Sequence, residues 1–145
     1  MSNKLVLRLS NEIGNQMFMY ASSLGISKKV EKSREKLSSI FKKLIAQKKK
    51  IIGYGATAKV NTILNYCKIK NETLEYFLDT TPNKTGKFMP GSHLYIQKYH
   101  KSSTNKVDYI FLGAWNFKEE IFKKEKKFIK RGGKFIIHTP MPKII

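Results

Sequence analysis

Residues 51–67, IIGYGATAKVNTILNYC, decide how this chain is read. Two isoleucines open an apolar strand, Gly53-Tyr54-Gly55-Ala56-Thr57-Ala58 forms a G-x-G-x-x-A turn, and a helix-forming segment follows at once. In that setting each small residue has a physical reason. Gly53 and Gly55 let the backbone bend tightly and come close to a ligand, and Ala58 lets the helix pack near the strand. The first amides of the helix point at whatever anion sits there. The amides of Ala56, Thr57 and Ala58 are therefore expected to bind a phosphate or another polar group, with Tyr54 beside them. A Cβ at Gly55, as in Gly55→Val, is expected to block the ligand and leave the fold intact.

Outward from this turn, strands and helices alternate. Residues 4–9 read as a short strand, and GNQMFMYASSLG as a turn into a helix. Residues 26–48 carry Val30, Leu37, Ile40, Phe41, Leu44 and Ile45 at helical spacing, which predicts an amphipathic helix packed on a core. A membrane-surface helix is the second reading, but the stripe is narrow and lacks Trp. Strands are expected at 50–54, 74–79, 107–115 and 134–140, and helices at 57–67 and 117–131, the latter stopped by Gly132-Gly133. Asn116 is expected to cap that last helix, with Glu119 completing a capping box. The stretch TTPNKTGKFMPGSHLYI, punctuated by Pro82, Gly86, Pro90 and Gly91, reads as loop. The alternation predicts an α/β fold, a Rossmann-like and mostly parallel sheet with flanking helices.

The 145 residues suffice for one domain with a core, and no run approaches the roughly 20 apolar residues of a membrane span. The start turns polar too soon for a secretory segment, so the chain reads as cytoplasmic, with no membrane partner. Cys67 is the single cysteine, which leaves no internal disulfide and no cysteine-based zinc site, and no metal site is expected. The formal net charge of +19 invites a nucleic-acid reading. The charge is nearly all Lys, however, with arginines only at Arg8, Arg34 and Arg131, and the lysines are spread over every polar segment. Scarce Arg argues against base-specific readout, and the lysines read as solvated faces.

Several residues are candidates for ligand contact. Asp79 ends the strand after the glycine turn, near the roughly 20-residue spacing of a ribose-binding acid in dinucleotide folds. Its other reading is an Asx-type cap of the DTTPNK turn. Lys59 lies on the first turn of the helix, placed to meet a phosphate. Of Asn61 and Asn65, four apart on one helix face, one is expected to reach a ligand and the other to bond backbone. Lys84, Pro90 and Gly91 sit in the long loop over the ligand edge of the sheet. His93 is there too, but lacks a carboxylate partner that would make it a base. Trp115, at the end of a strand, reads equally as core packing or as a platform under a sugar or base.

GYGATAKVNTILNYC, DTTPNKTGKFMPGSHLYI, AWNFKEEI and GGKFIIHTPMP resemble successive motifs of the C-terminal domain of sugar C-methyltransferases. Thr57 and Val60 stand where that family usually has Pro and Gly. The resemblance implies an S-adenosylmethionine-dependent pathway acting on nucleotide-linked deoxy sugars, typically of the dTDP type. Whole enzymes of that family add a cysteine-based zinc domain and a central methyl-donor domain with Tyr, Glu and His catalytic groups. None of these is found in this sequence, so no catalytic residue is assigned, and S-adenosylmethionine is expected only on a missing or partner methyltransferase domain.

The opening LVLRLSNEIGNQMFMYASSLG is similar to the start of bacterial α-1,2-fucosyltransferases, with Gly14, Asn15, Gln16, Met17, Phe18, Tyr20 and Ala21 matching. The expected division is thus a segment over 1–25 and the Rossmann-like domain over 26–145. The leading functional expectation is a detached nucleotide-sugar-binding domain of surface-sugar biosynthesis, not catalytic alone. Its alternatives are a small NAD-type dinucleotide-binding protein and a folded gene-fusion remnant.

Overall fold

The computed structural model describes residues 13–145, with side chains from residue 23 onward. Its centre is a strand pair with uninterrupted apolar character. β1 (Ile51–Tyr54) is buried at all four positions and runs parallel to β4 (Tyr109–Leu112), Ile52 opposite Ile110 and Gly53 opposite Phe111. On one side β2 (Phe77–Asp79) and then β3 (Ile96–Lys98) add in parallel. On the other, β5 (Lys134–Ile137) is parallel, and β6 (Lys143–Ile144) closes the edge antiparallel. The sheet order is β3-β2-β1-β4-β5-β6. Strands with both faces covered need apolar residues at nearly every position, and the central β1 (IIGY) and β4 (YIFL) carry no charged residue.

Strand alternation sorts the core into two layers. Ile51, Phe77, Phe111 and Ile136 face α1 (Ile13–Ala46) and α2 (Ala58–Tyr66), meeting Leu37, Phe41, Leu44, Val60 and Leu64. Ile52, Leu78, Ile110, Leu112, Phe135 and Ile137 face α3 (Lys118–Lys124) and α4 (Lys126–Lys130), meeting Ile121 and Phe128. Phe41 and Phe77 both set their rings edge-on to Phe111, with centroids 5.5 and 6.5 Å away. Each such fully buried side chain contributes about 1.5–3 kcal/mol of hydrophobic stabilisation.

The expected strand at 4–9 lies outside the described residues. α1 is one helix of 34 residues, so the expected turn at its start is absent and the helix runs across the 25/26 boundary, through Gly25. At about 1.5 Å per residue it is about 51 Å long. Its buried residues Leu37, Phe41 and Leu44 hold the last turns on the core, whereas Leu24, Ile26 and Val30 are exposed. The expected helix over 117–131 is two helices. Glu125, with non-helical φ −96° and ψ 25°, separates them, and its carboxylate is buried, Oε2 accepting from the Thr104 hydroxyl at 2.9 Å. Gly132 and Gly133 do end α4, their amides bonding back to Ile129 and Phe128.

Asn116 does not cap α3. The chain enters that helix through a 3-10 turn, Trp115–Phe117, and the N-cap position is Phe117, without a side-chain cap bond. The turn is held by backbone alone, Phe117 N–H donating to the Ala114 carbonyl at 3.0 Å.

Candidate functional site

The chain leaves β1 on one side to build β2 and β3, and returns on the other to build β4, β5 and β6. This makes a topological switch point between β1 and β4, where the connections leave the carboxyl ends of the strands in opposite directions and open a crevice. A cleft of about 310 Å³ lies there, lined by Tyr54, Gly55 and Thr57 after β1, Asp79 to Thr81 after β2, Lys84, Ala114 after β4, and Phe117, Glu120, Ile121 and Lys124 from the α3 side.

The glycine turn has the conformation its sequence implies. Gly55 has φ +85°, and an added Cβ would lie 2.4 Å from the Ala114 Cβ and 2.9 Å from the Ala114 nitrogen. Gly55 is therefore required by the packing of β1 against β4 as well as by its backbone angle, and a valine there damages the fold, against the expectation of a folded, non-binding variant. Thr57 caps α2, its hydroxyl accepting from Val60 N–H at 3.2 Å.

Asp79 organises the turn. One carboxylate oxygen accepts from the Ala56 amide at 2.8 Å, and the other accepts from the Thr81 amide, also at 2.8 Å. Lys84 completes the arrangement, with Nζ 3.0 Å from the Ala56 carbonyl and 3.7 Å from Asp79. Burial would raise the Asp79 pKa, but the bonds from Thr81 and Ala56 and the Lys84 charge outweigh it and hold the carboxyl below its ordinary value. The Asx-type cap expected at this position is present. Of the three amides expected to meet an anion, those of Ala56 and Thr57 are engaged within the turn, with Asp79 and with the Gly55 carbonyl.

The floor and rim add groups with ligand chemistry. Tyr54 is buried, its ring 5.5 Å from that of Tyr99. Burial and the neighbouring Tyr99 and acidic groups push its phenol up, so it stays a neutral hydroxyl. Lys124 stands over the Tyr99 ring with Nζ 3.8 Å from the centroid, and Phe117 is 61% exposed at the cleft rim. Phe117, Glu120 and Lys124 escaped the sequence reading because their spacing marks only an amphipathic helix. By helical spacing Phe117 aligns with the core residues Ile121 and Phe128, so its exposure at the rim gave no sequence signal.

The cleft thus brings together Tyr54, Gly55, Thr57, Asp79 and Lys84 of the expected residues, with Ala56 behind them. Gly53 lies within the sheet. Lys59 is beside Trp115, its Nζ 5.9 Å from the ring centroid, and neither lines the cleft. Asn65 is the backbone-bonding asparagine, donating to the carbonyls of Asn61 at 2.9 Å and Pro90 at 3.0 Å. Pro90 and Gly91 accordingly pack on α2 instead of the cleft, and Gly91 and Asn65 line a separate groove near the end of that helix. Asn61 has a buried side-chain oxygen without a partner among the described residues.

A mostly parallel α/β sheet with flanking helices and a cleft at its switch point, polar on one wall and aromatic at the rim, defines a Rossmann-like domain. The chain belongs to the C-methyltransferase C-terminal domain family, which matches residues 2–140. It is 34% identical over 115 residues to the C-methyltransferase NovU of Streptomyces niveus, covering 79% of this chain and 27% of that protein. The chain thus spans about a quarter of that relative's length. The family match begins at residue 2 and so takes in residues 4–25, for which a fucosyltransferase-type start was expected. Among the described residues no helix is long and apolar enough to cross a membrane.

Proposed function

We propose that the switch-point cleft binds a nucleotide sugar of the dTDP type, and that the chain serves as the substrate-holding domain of a sugar C-methyltransferase. The methyl donor, S-adenosylmethionine, and the catalytic groups would lie on a methyltransferase domain outside these residues. The observation that carries this reading is the cleft wall itself: two lysines, Lys84 and Lys124, and an exposed aromatic ring, Phe117, line one concave site beside the glycine turn. Lysines supply charge to a diphosphate, the ring a stacking surface to a base, and Glu120 and the Tyr54 hydroxyl groups for sugar or base polar atoms. The NAD-type reading is the alternative at the same cleft, since Asp79, the acid at ribose-binding spacing, also lines it.

The test is a thermal-shift titration with dTDP, a dTDP-sugar, NAD and S-adenosylmethionine, on the wild type and on Lys84→Ala. A ligand at a hundred times its dissociation constant adds about 2.7 kcal/mol of stability. Response to the dTDP compounds, diminished in Lys84→Ala, is the expected result. Response to NAD alone overturns the reading in favour of a dinucleotide site. Silence with all four ligands, in a chain that melts cooperatively, overturns it in favour of a folded remnant or a subunit that binds only with a partner.

A further inference from the structure

The opposite edge of the sheet has a different character. β1, β4 and β5 are parallel neighbours, so the residues preceding them come side by side at their amino ends: Lys48–Lys50, Lys106–Asp108 and Gly132–Gly133. Backbone bonds tie these approaches together. The Asp108 and Tyr109 amides donate to the Lys50 carbonyl at 3.0 and 3.1 Å, and the Lys134 amide donates to the Asp108 carbonyl at 3.1 Å. Between them lies a groove of about 500 Å³, whose lining includes Lys49, Lys106, Arg131 and Lys134.

Four side-chain cations therefore share one concavity with one acid, Asp108. That carboxylate already accepts the Lys50 amide at 2.9 Å. Among the described residues none of the four cations has a carboxylate within ion-pair distance. Arg131 is held in place, its Nη2 donating to the carbonyls of Thr104 and Val107, at 2.6 Å to the former. Lysines scattered through the sequence as solvated residues are thus gathered by the topology into one groove. Like charges so collected repel one another until an anion neutralises them.

We propose that this groove is a second binding site, separate from the switch-point cleft, for a multivalent oxyanion bearing several phosphate groups. A small polyphosphate and the phosphate backbone of a single-stranded nucleic acid share that chemistry. The volume is that of a small-molecule site, and a fixed guanidinium with three unpaired ammonium groups beside it suits neighbouring phosphates. The site stands independently of the proposed sugar-nucleotide function.

The test is calorimetric titration of the full chain with sodium tripolyphosphate. It compares wild type, the double variant Lys106→Glu/Lys134→Glu, and a control of equal charge change on the exposed face of α1, Lys36→Glu/Lys42→Glu. Lys84→Ala reports on the opposite edge, and circular dichroism melts verify folding of each. Expected are binding by the wild type that weakens about tenfold over a fourfold rise in salt, as phosphate contacts do, and a loss of at least about tenfold in the groove variant alone. No binding, equal losses in groove and control variants, or a loss confined to Lys84→Ala would each overturn the proposal. A short oligothymidylate added to the tripolyphosphate complex identifies the source. Displacement at equal phosphate concentration assigns the groove to a nucleic-acid backbone, and failure to displace assigns it to a small polyphosphate.

Discussion

Replacing Asp79 by asparagine tests the arrangement that shapes the cleft. In the native turn each carboxylate oxygen accepts one amide, Ala56 N–H on one side and Thr81 N–H on the other, both at 2.8 Å. Asparagine keeps one acceptor and turns an NH₂ donor toward one of the two amides. A buried donor left unsatisfied costs about 1–3 kcal/mol. Lys84 also loses its charge partner, but at 3.7 Å and with its side chain 42% exposed that pair adds little, on the order of 0.5 kcal/mol. Asp79→Asn should therefore lose about 1.5–3.5 kcal/mol, and its Tm should fall by roughly 5–11 °C in a domain of this size. Urea unfolding followed by circular dichroism measures the first quantity and a thermal melt the second. The pH dependence supplies an independent sign. The folded pKa of Asp79 is depressed, so its stabilisation is present above the unfolded value of about 3.9 and is lost as pH falls through the lower folded value. The variant should lack that part of the acid transition. A stability within 0.5 kcal/mol of wild type, measured with an unchanged urea slope, would refute the assignment of Asp79 as the anchor of the glycine turn.

Gly55→Val should unfold the domain or lower its stability by several kcal/mol, because the new Cβ meets Ala114 at 2.4 Å and the backbone sits at φ +85°. Wild-type urea stability in this variant would show that β1 and β4 are less closely packed than described. His138, buried after β5 with Nδ1 unpartnered among the described residues, has its pKa lowered by burial. Its protonation is thus easier in the unfolded chain, so stability should decline as pH drops from about 6.5 toward the lower folded value. His138→Gln should flatten that part of the stability–pH curve measured by urea titration, and an unaltered curve refutes it.

The sheet and its glycine turn were legible because β1, β2, β4 and β5 are built on short apolar runs between turn residues, and because Gly55, at positive φ, sits where strand passes into helix. β3 and β6 were not, since three and two residues carry no period and stand beside the loop signals of Gly91 and Pro142. The division of the last helix at Glu125 was hidden for a related reason. Only the tertiary partner, Thr104, explains a buried carboxylate in a lysine-rich segment. At the site, residue type identified Asp79 and Lys84, but their roles depend on what their side chains reach across the turn. Pro90 and Gly91 were assigned to the ligand edge from their loop, and the bond from Asn65 to the Pro90 carbonyl binds them to α2 instead.

Gly53 has a consequence of its own. A Cβ there would fall 2.3 Å from the tip of the fully buried Phe77 ring, so the first glycine of the turn motif makes room for an aromatic on the adjoining strand. Positions 53 and 77 therefore share a single allotment of volume across the β1–β2 pair. A methyl group gained at 53 is accommodated where the ring at 77 shrinks, as in Gly53→Ala with Phe77→Leu, and each change alone leaves either a clash or a void. A glycine that looks like part of a ligand fingerprint is, in this chain, half of an exchangeable packing pair.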